Sequence, residues 1–273
     1  MFNKIFSFYG KRDEINLIEL KKKIFTFYKT TTIYDDYKTV NYKPDLWSHI
    51  IETIESDFSD KNISILEFGV GKSSFPNFVN EVLKKNIRFD AQDIIVNNKE
   101  YLQKLYDNVF LAELTTLNNE FKYDIIFSTF VWEHLNNPED VLKHLFEILK
   151  PDGSIFIFCP RYDYPFYVSP SAKHYGKSKF VVISIFVTYM RLLAILTKKP
   201  NFLIHLDPSI FHMEWKRDYD AIHWASYWDI KYSVPKEYEV EKIKIRTDSN
   251  SFSYKFWAKY LLLAVKIKKK NNL

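Results

Sequence analysis

The stretch Ile65-Leu66-Glu67-Phe68-Gly69-Val70-Gly71-Lys72-Ser73-Ser74 decides the fold. Residues 63–68 form a short apolar run of the kind that makes a strand buried on both faces. The strand ends on an acidic residue, Gly-x-Gly makes a turn, and a helical pattern follows over 73–85. Glycines there let the backbone turn sharply and let a ligand approach with no Cβ in the way. The helix N-terminus offers unpaired N–H groups to polar or anionic atoms. Taken alone, Gly69-Val70-Gly71 is equally consistent with glycines that merely end a strand.

Spacing tests two lookalikes. Gly71-Lys72-Ser73 imitates the close of a phosphate-cradling P-loop, but that motif needs a glycine at 66, where Leu66 stands, so the reading fails. The dinucleotide fingerprint wants a third glycine at 74, where Ser74 stands. A nicotinamide-dependent oxidoreductase is weakened by this and stays open as an alternative.

Outward from the turn, further strands are expected at 87–92, 108–112, 123–128 and 154–159, with helices at 97–105 and 138–149. The last helix opens at Pro138 and stops at Lys150-Pro151-Asp152-Gly153, read as a turn. This alternation predicts a parallel α/β sheet. Residues 237–246 and 256–267 read as two final strands whose connection has no helical pattern, so they pair antiparallel. On the N-terminal side, 14–29 puts Ile15, Ile18 and Phe25 on one helical face, and Pro44 opens a second helix with Leu46, Trp47, Ile50, Ile51 and Ile54 as its apolar side. The chain thus divides into a helical cap (1–61), a core (62–160), an insertion (161–232), and two strands with a basic tail (233–273).

Other residues fall at strand ends. Asp93 closes the second strand 22 residues beyond Gly71, where a carboxylate can accept from both hydroxyls of a ribose, although an Asp after a strand also suits a simple turn. Glu113 follows the third strand. Tyr123-Asp124-Ile125-Ile126-Phe127-Ser128 leads to Trp132-Glu133-His134-Leu135, and Leu149–Gly153 precedes an apolar strand.

With these motifs in order, residues 62–160 resemble the class I S-adenosylmethionine-dependent methyltransferases, particularly the ubiquinone-biosynthesis-like type. Each motif is weak alone, and the ordered set is specific. The departures are Ser73 at the family's third glycine and Asp152 in the Leu-Lys-Pro-Gly-Gly turn; residues 1–60 and 160–230 lie outside the resemblance. It implies a Rossmann-like, seven-stranded, mostly parallel sheet with an antiparallel last strand, and S-adenosylmethionine as cofactor. It places Gly69 and Gly71 close to that cofactor, Glu67 near its methionine amino group, Asp93 on the ribose and Glu113 near the adenine. Methyl transfer is a single displacement that depends chiefly on alignment and desolvation, and a base is needed only if the acceptor loses a proton.

Candidates for such a base are His134, His174, His205, His212 and His223, with Asp163 and Tyr175 behind them. His134 is the best placed, at the carboxyl end of the fourth strand, where open α/β sheets bind ligands. The spacing of His205, His212 and His223 does not put them on one helical turn, so no metal site is expected. The insertion is expected to cover the crevice, with stacking surfaces from Tyr162, Tyr164, Phe166, Tyr167, Tyr175, Trp215, Trp224, Tyr227 and Trp228.

Composition bounds the rest. At about 150 residues per domain, 273 residues make one elaborated domain or two small ones. Hydrophobic content of 47% with 27% charged residues is ordinary globular usage and excludes collagen, coiled-coil and disordered classes. Aromatic content of 18% supplies a large core and the material for an aromatic pocket. The single cysteine, Cys159, can make neither an internal disulfide nor a Cys-rich metal site. The net charge of +5 is dispersed apart from Lys266 and Lys268–Lys270, read as a solvated tail, which disfavours a nucleic-acid acceptor.

The N-terminus lacks the pattern of a secretory signal. Phe180–Leu196 is apolar at the lower limit for a membrane span, with Arg191 placed to snorkel; a buried or interfacial helix is the preferred reading. Lys173, Lys177 and Lys179 before it and Lys198 and Lys199 after it fit docking at a membrane surface. The sequence thus points to a cytoplasmic methyltransferase, peripheral at the inner membrane face, acting on a small, hydrophobic or lipid-linked acceptor such as a glycan precursor or a quinone-like molecule. A non-catalytic methyltransferase-like module at the membrane is the remaining alternative. The sequence sets no oligomeric state.

Overall fold

The structure is a computed structural model and describes residues 5–7, 14–31, 43–58 and 62–270. A short strand, β1 (Phe6–Ser7), and helices α1 (Glu14–Thr30) and α2 (Lys43–Asp57) precede the main sheet. That sheet is built by β2 (Ile63–Phe68), β3 (Ile87–Asp93), β4 (Asn108–Leu111), β5 (Tyr123–Thr129) and β6 (Leu149–Pro160), with α3 (Phe75–Val82), α4 (Lys99–Leu102) and α5 (Pro138–Ile148) in the crossovers. The insertion carries α6 (Lys177–Thr197), β7 (Ile204–His205) and α7 (Tyr227–Ser233). The chain then adds β8 (Tyr238–Lys242), α8 (Phe252–Phe256) and β9 (Leu262–Lys269).

The strand order is β4-β3-β2-β5-β6-β9-β8. Strands β2 to β6 run parallel, and β9 lies antiparallel between β6 and β8. Every residue of β2 is buried, as its unbroken apolar run requires, because helices cover both faces. On one face α2 and α3 pack through Trp47, Ile50, Phe75 and Val79; on the other α5 and α7 pack through Leu142, Leu145 and Ile230. The apolar side expected of α2 is the side that is buried. The crossovers reverse direction between β2 and β5, so the crevice of the sheet opens at the carboxyl ends of those two strands.

The structure departs from the sequence reading at four places. Residues 256–261 are helical, not strand: Ser251 caps α8 by accepting from Tyr254 N, and a π-helical turn runs from Trp257 to Leu261 before β9 begins. Lys150–Gly153 is an irregularity within β6, where the register to β5 shifts; a Cβ on Gly153 would lie 2.9 Å from the Asp124 carbonyl, so only glycine fits. Helix α1 has two apolar stripes. Leu20 and Ile24 are the buried pair, packed on Ile210, Trp215 and Ile222 of the insertion, while Ile15, Ile18 and Phe25 are exposed. The N-terminal segment therefore splits, with α1 and β1 joining the insertion and α2 the sheet.

Arg191 is the fourth departure. It does not reach out to solvent: its guanidinium is buried, 2.7 Å from Asp229 Oδ2, and donates to the Trp224 carbonyl. Asp229 Oδ1 accepts from Asn201 N at 2.7 Å. The charge thus fastens α6 to α7. Removing one partner of a buried pair strands the other. Arg191→Met is expected to lower unfolding stability by about 3–5 kcal/mol in urea titrations. Arg246→Met, which breaks an exposed pair with Glu52, should change stability by less than about 1 kcal/mol.

Candidate active site

The turn after β2 is held by its own backbone. Gly69 and Gly71 both have left-handed φ values, +62° and +56°, a region that costs any residue with a Cβ. A Cβ on Gly69 would lie 2.4 Å from Val131 Cγ1, so the strand ends pack too closely there for anything but glycine. Around Gly71 there is open space within 4 Å, which leaves its backbone accessible. Gly69 N donates to Gln92 Oε1 at 3.2 Å, and Gly71 N donates to Asp93 Oδ2 at 2.6 Å. Asp93 Oδ1 accepts from Ile95 N at 2.9 Å. Burial leaves the Asp93 carboxyl raised above its ordinary value, against the opposing backbone N–H groups of Ile95, Gly71 and Ile94.

A cavity of about 490 Å³ opens on this turn, within the usual range for a small-molecule site. Gly69, Gly71, Asp93, Glu113 and His134 all line it, so five of the six residues singled out in the sequence meet at one place. Glu67 is the sixth and sits behind the turn: its Oε2 accepts from Ser73 Oγ at 3.0 Å and Tyr106 OH at 2.6 Å, fixing the start of α3. Glu113 is paired at the rim with Lys21 of α1, 2.6 Å from Nζ to Oε1 and 2.7 Å to Oε2. With Ile24, Phe25 and Tyr28 also on the wall, α1 forms a side of the cavity.

His134 follows β5 on a single helical turn. Its Nδ1 lies 3.0 Å from Asp220 Oδ2, an oxygen that also accepts from Tyr28 OH. Burial alone would discharge the ring, but the Asp220 charge and hydrogen bond, joined by Glu133 and Asp218, hold its pKa near 10. At neutral pH the ring is an imidazolium with no lone pair to take a proton, which speaks against the general-base role expected for it. Glu133 beside it is 4% exposed, and its Oε2 has no hydrogen-bond partner. Burial raises that carboxyl to about 7, with His134 opposing and Asp218 and Asp220 adding.

Three of the other candidate bases are committed elsewhere. His223 Nδ1 donates to the Trp132 carbonyl at 2.8 Å, and His223 N to the Glu133 carbonyl at 2.9 Å, which seats the insertion under the His134 turn. His205 is buried against Tyr175 and Ser171, and burial lowers its pKa to about 3. Asp163 accepts from Arg161, Ser226 and Tyr227. Among the described residues, no group of three or more His, Cys, Asp or Glu side chains could hold a metal.

A second cavity, about 970 Å³, adjoins the first. Phe130, His134 and Asp218 line both, so these three form the boundary between them. Phe130 holds a left-handed φ of +61° and donates its N–H to the Phe158 carbonyl at 2.7 Å. Its ring lies 6.1 Å from that of Trp257. Strained non-glycine backbone of this kind clusters at functional sites. Sequence reasoning missed Phe130, Asp218, Asp220 and Trp257, and nothing local in the sequence marks them.

Comparison with known proteins agrees with this geometry. The methyltransferase domain family matches residues 41–231, from α2 through the insertion. Malonyl-[acyl-carrier protein] O-methyltransferase 2 of Ilyobacter polytropus is 30% identical over 144 residues, 51% of this chain and 54% of that protein. The (S)-coclaurine N-methyltransferase of Papaver somniferum is 32% identical over 101 residues, 34% and 28% of the two chains. The chain thus spans about half the length, or less, of these curated relatives. Among solved structures, the plantazolicin methyltransferase BamL, in complex with a triazolic desmethylPZN analog and SAH, has a TM-score of 0.56 over 95% of this chain and 99% of its own, at 13% identity. BpumL in complex with SAH has a TM-score of 0.53 over 95% and 98%, at 15% identity. Those identities speak to fold, and the fold is the seven-stranded sheet described above. The chain belongs to the methyltransferase domain family, as a class I, S-adenosylmethionine-dependent member.

Proposed function

We propose that the cavity at the ends of β2 and β5 binds S-adenosylmethionine and that its methyl group passes to a small organic acceptor in the second cavity. The observation that carries this reading is the Gly69–Gly71 turn, pinned to Asp93 and left open toward the cavity at the sheet's switch point. The donor set fits such a cofactor. The Asp93 carboxylate, held by backbone N–H groups, lines the cavity and can accept from ribose hydroxyls, and Glu113 on the same wall is the residue the family resemblance assigns to the adenine end. Bound there, the cofactor supplies an electrophilic methyl on a cationic sulfur. Glu67 acts through Ser73 and Tyr106 as a positioning residue. His134, fixed as a cation against Asp220, closes the wall between the cavities and shapes it.

The acceptor is hydrophobic or lipid-linked in this reading, and the enzyme is cytoplasmic, docking peripherally at the inner membrane face. Helix α6 supports it: Ile183, Val187, Arg191 and Ala194 face inward, while Val181, Ile185, Tyr189, Leu192 and Leu196 form an exposed stripe on the other side. The helix is long and apolar enough to cross a membrane by length and composition, yet its buried face and Arg191 are tied to the domain. Lysines at both ends complement anionic headgroups.

Three measurements test these assignments. S-adenosylhomocysteine at a hundredfold excess over its Kd should stabilise the protein by about 2.7 kcal/mol in thermal shift, while NAD should have no effect. Gly69→Val, which clashes with Val131, and Gly71→Ala, whose Cβ enters open space, should both lose the shift; a shift with NAD alone would favour the oxidoreductase, and none with either a non-catalytic module. In co-sedimentation with phosphatidylglycerol vesicles, wild type should pellet and the Ile185→Glu/Leu192→Glu variant should stay in solution; equal or absent binding in both would defeat membrane docking.

The third concerns His134. Because its folded pKa lies above the ordinary 6.5, the stability it contributes is complete below that pH and is lost as pH climbs through about 10. Its Cε1–H resonance should therefore be flat between about pH 6 and 8, and Asp220→Asn should bring the midpoint back toward about 6.5.

A further inference from the structure

The acceptor cavity is unusually acidic for an aromatic pocket. Four carboxylates line it, from Asp45, Glu133, Asp218 and Asp248, against two cations, Arg217 and His134. Asp45 accepts from Tyr254 OH at 3.0 Å. Glu133 differs from the other three: it is almost wholly buried, and its Oε2 has no hydrogen-bond donor within the protein. Its other oxygen, Oε1, lies 4.0 Å from His134 Nε2, beyond hydrogen-bonding distance, and the carboxylate's one backbone hydrogen bond comes from its own N–H. A buried carboxylate oxygen without a donor is costly unless something entering the cavity supplies one. The rings of Phe130, Tyr254 and Trp257 share the cavity wall, and aromatic faces attract cations.

We propose that the acceptor is an amine, bound as its ammonium in the second cavity with an N–H donated to Glu133 Oε2. This rests on the reading of that cavity as the acceptor site and narrows its chemistry. A carboxylate acceptor would enter a cavity whose carboxyl groups outnumber its cations four to two, and a neutral alcohol would leave that excess unanswered. The residue also serves the reaction. An ammonium has no lone pair, so it must lose a proton before it can attack, and a carboxyl held near pH 7 can take it. The freed nitrogen pair forms the N–C bond to the methyl as the C–S bond breaks and sulfur keeps its pair. The product leaves as a methylated ammonium, and the proton on Glu133 passes to solvent.

The test is binding of three probes of one shape, 2-phenylethylamine, 2-phenylethanol and 3-phenylpropanoate, to protein saturated with S-adenosylhomocysteine. Saturation-transfer NMR and calorimetry on wild type and Glu133→Gln supply the affinities. The amine should bind at least about tenfold tighter than the alcohol and the acid, and Glu133→Gln should remove that preference while the alcohol is unchanged. The variant should keep the S-adenosylhomocysteine thermal shift, because Glu133 does not line the first cavity. Preference for the acid, no preference for the amine, or a preference that survives Glu133→Gln would overturn the proposal and leave the cofactor site standing. Loss of the thermal shift in wild type would instead sink the reading of the first cavity.

Discussion

A single carboxylate, Asp93, organises the wall of the first cavity. Its two oxygens take the N–H groups of Gly71 and Ile95, so the end of β3 and the turn after β2 cannot move independently. The turn in turn depends on left-handed backbone at Gly69 and Gly71, and Gly69 also lets β2 close on Val131 after β5. Two adjacent strand ends are thereby locked at the spacing that makes a crevice rather than a filled junction. Glu67 braces the arrangement from behind by holding Ser73 and Tyr106. The result is a preorganised ligand wall in which the bonds that shape the turn are already made before anything binds.

The second organising contact closes the crevice from above. Tyr28 from α1, His134 from the sheet and Asp220 from the insertion meet at one carboxylate oxygen. Three segments far apart in the chain are thus joined by the Tyr28 hydrogen bond and the His134 ion pair in a buried place, where such contacts are stronger than surface pairs. The Lys21–Glu113 pair at the rim is about half exposed and contributes less. Helix α1 is therefore held over the cavity chiefly by its buried contacts through Leu20 and Ile24 and by the Tyr28 hydroxyl.

What could be read in the sequence was the chemistry that is local in the chain. The strand–Gly-x-Gly–helix unit and Asp93 are tied by neighbouring backbone, so residue type and spacing suffice, and the parallel sheet follows from the alternation of elements. The misreadings share one cause, which is that a partner distant in sequence decides the outcome. Arg191 in an apolar helix reads as a snorkelling charge until Asp229 is placed beside it. Helix α1 offers two apolar stripes, and only the insertion's packing selects Leu20 and Ile24. Residues 256–261 are apolar without a clear period; the Ser251 cap upstream and the outward spacing of Phe252, Phe256 and Tyr260 are the signals that identify a helix there. His134 was visible as a residue, but its charge is set by Asp220, which no local pattern links to it.

In the proposed reading, the two cavities together impose an electrostatic order on methyl transfer. Their shared wall presents His134 as a cation and Asp218 as a carboxylate, with Glu133 buried just behind on the acceptor side. A methyl cation equivalent that moves from a sulfonium to a nitrogen carries its positive charge from the first cavity into the second. A wall richer in carboxylate on the receiving side favours that displacement of charge, because fixed charges stabilise it without reorganising. The same excess would penalise an acceptor that arrives as an anion. Acceptor choice therefore draws on Glu133, whose Oε2 has no donor within the protein and which lies in the connection from β5 to α5.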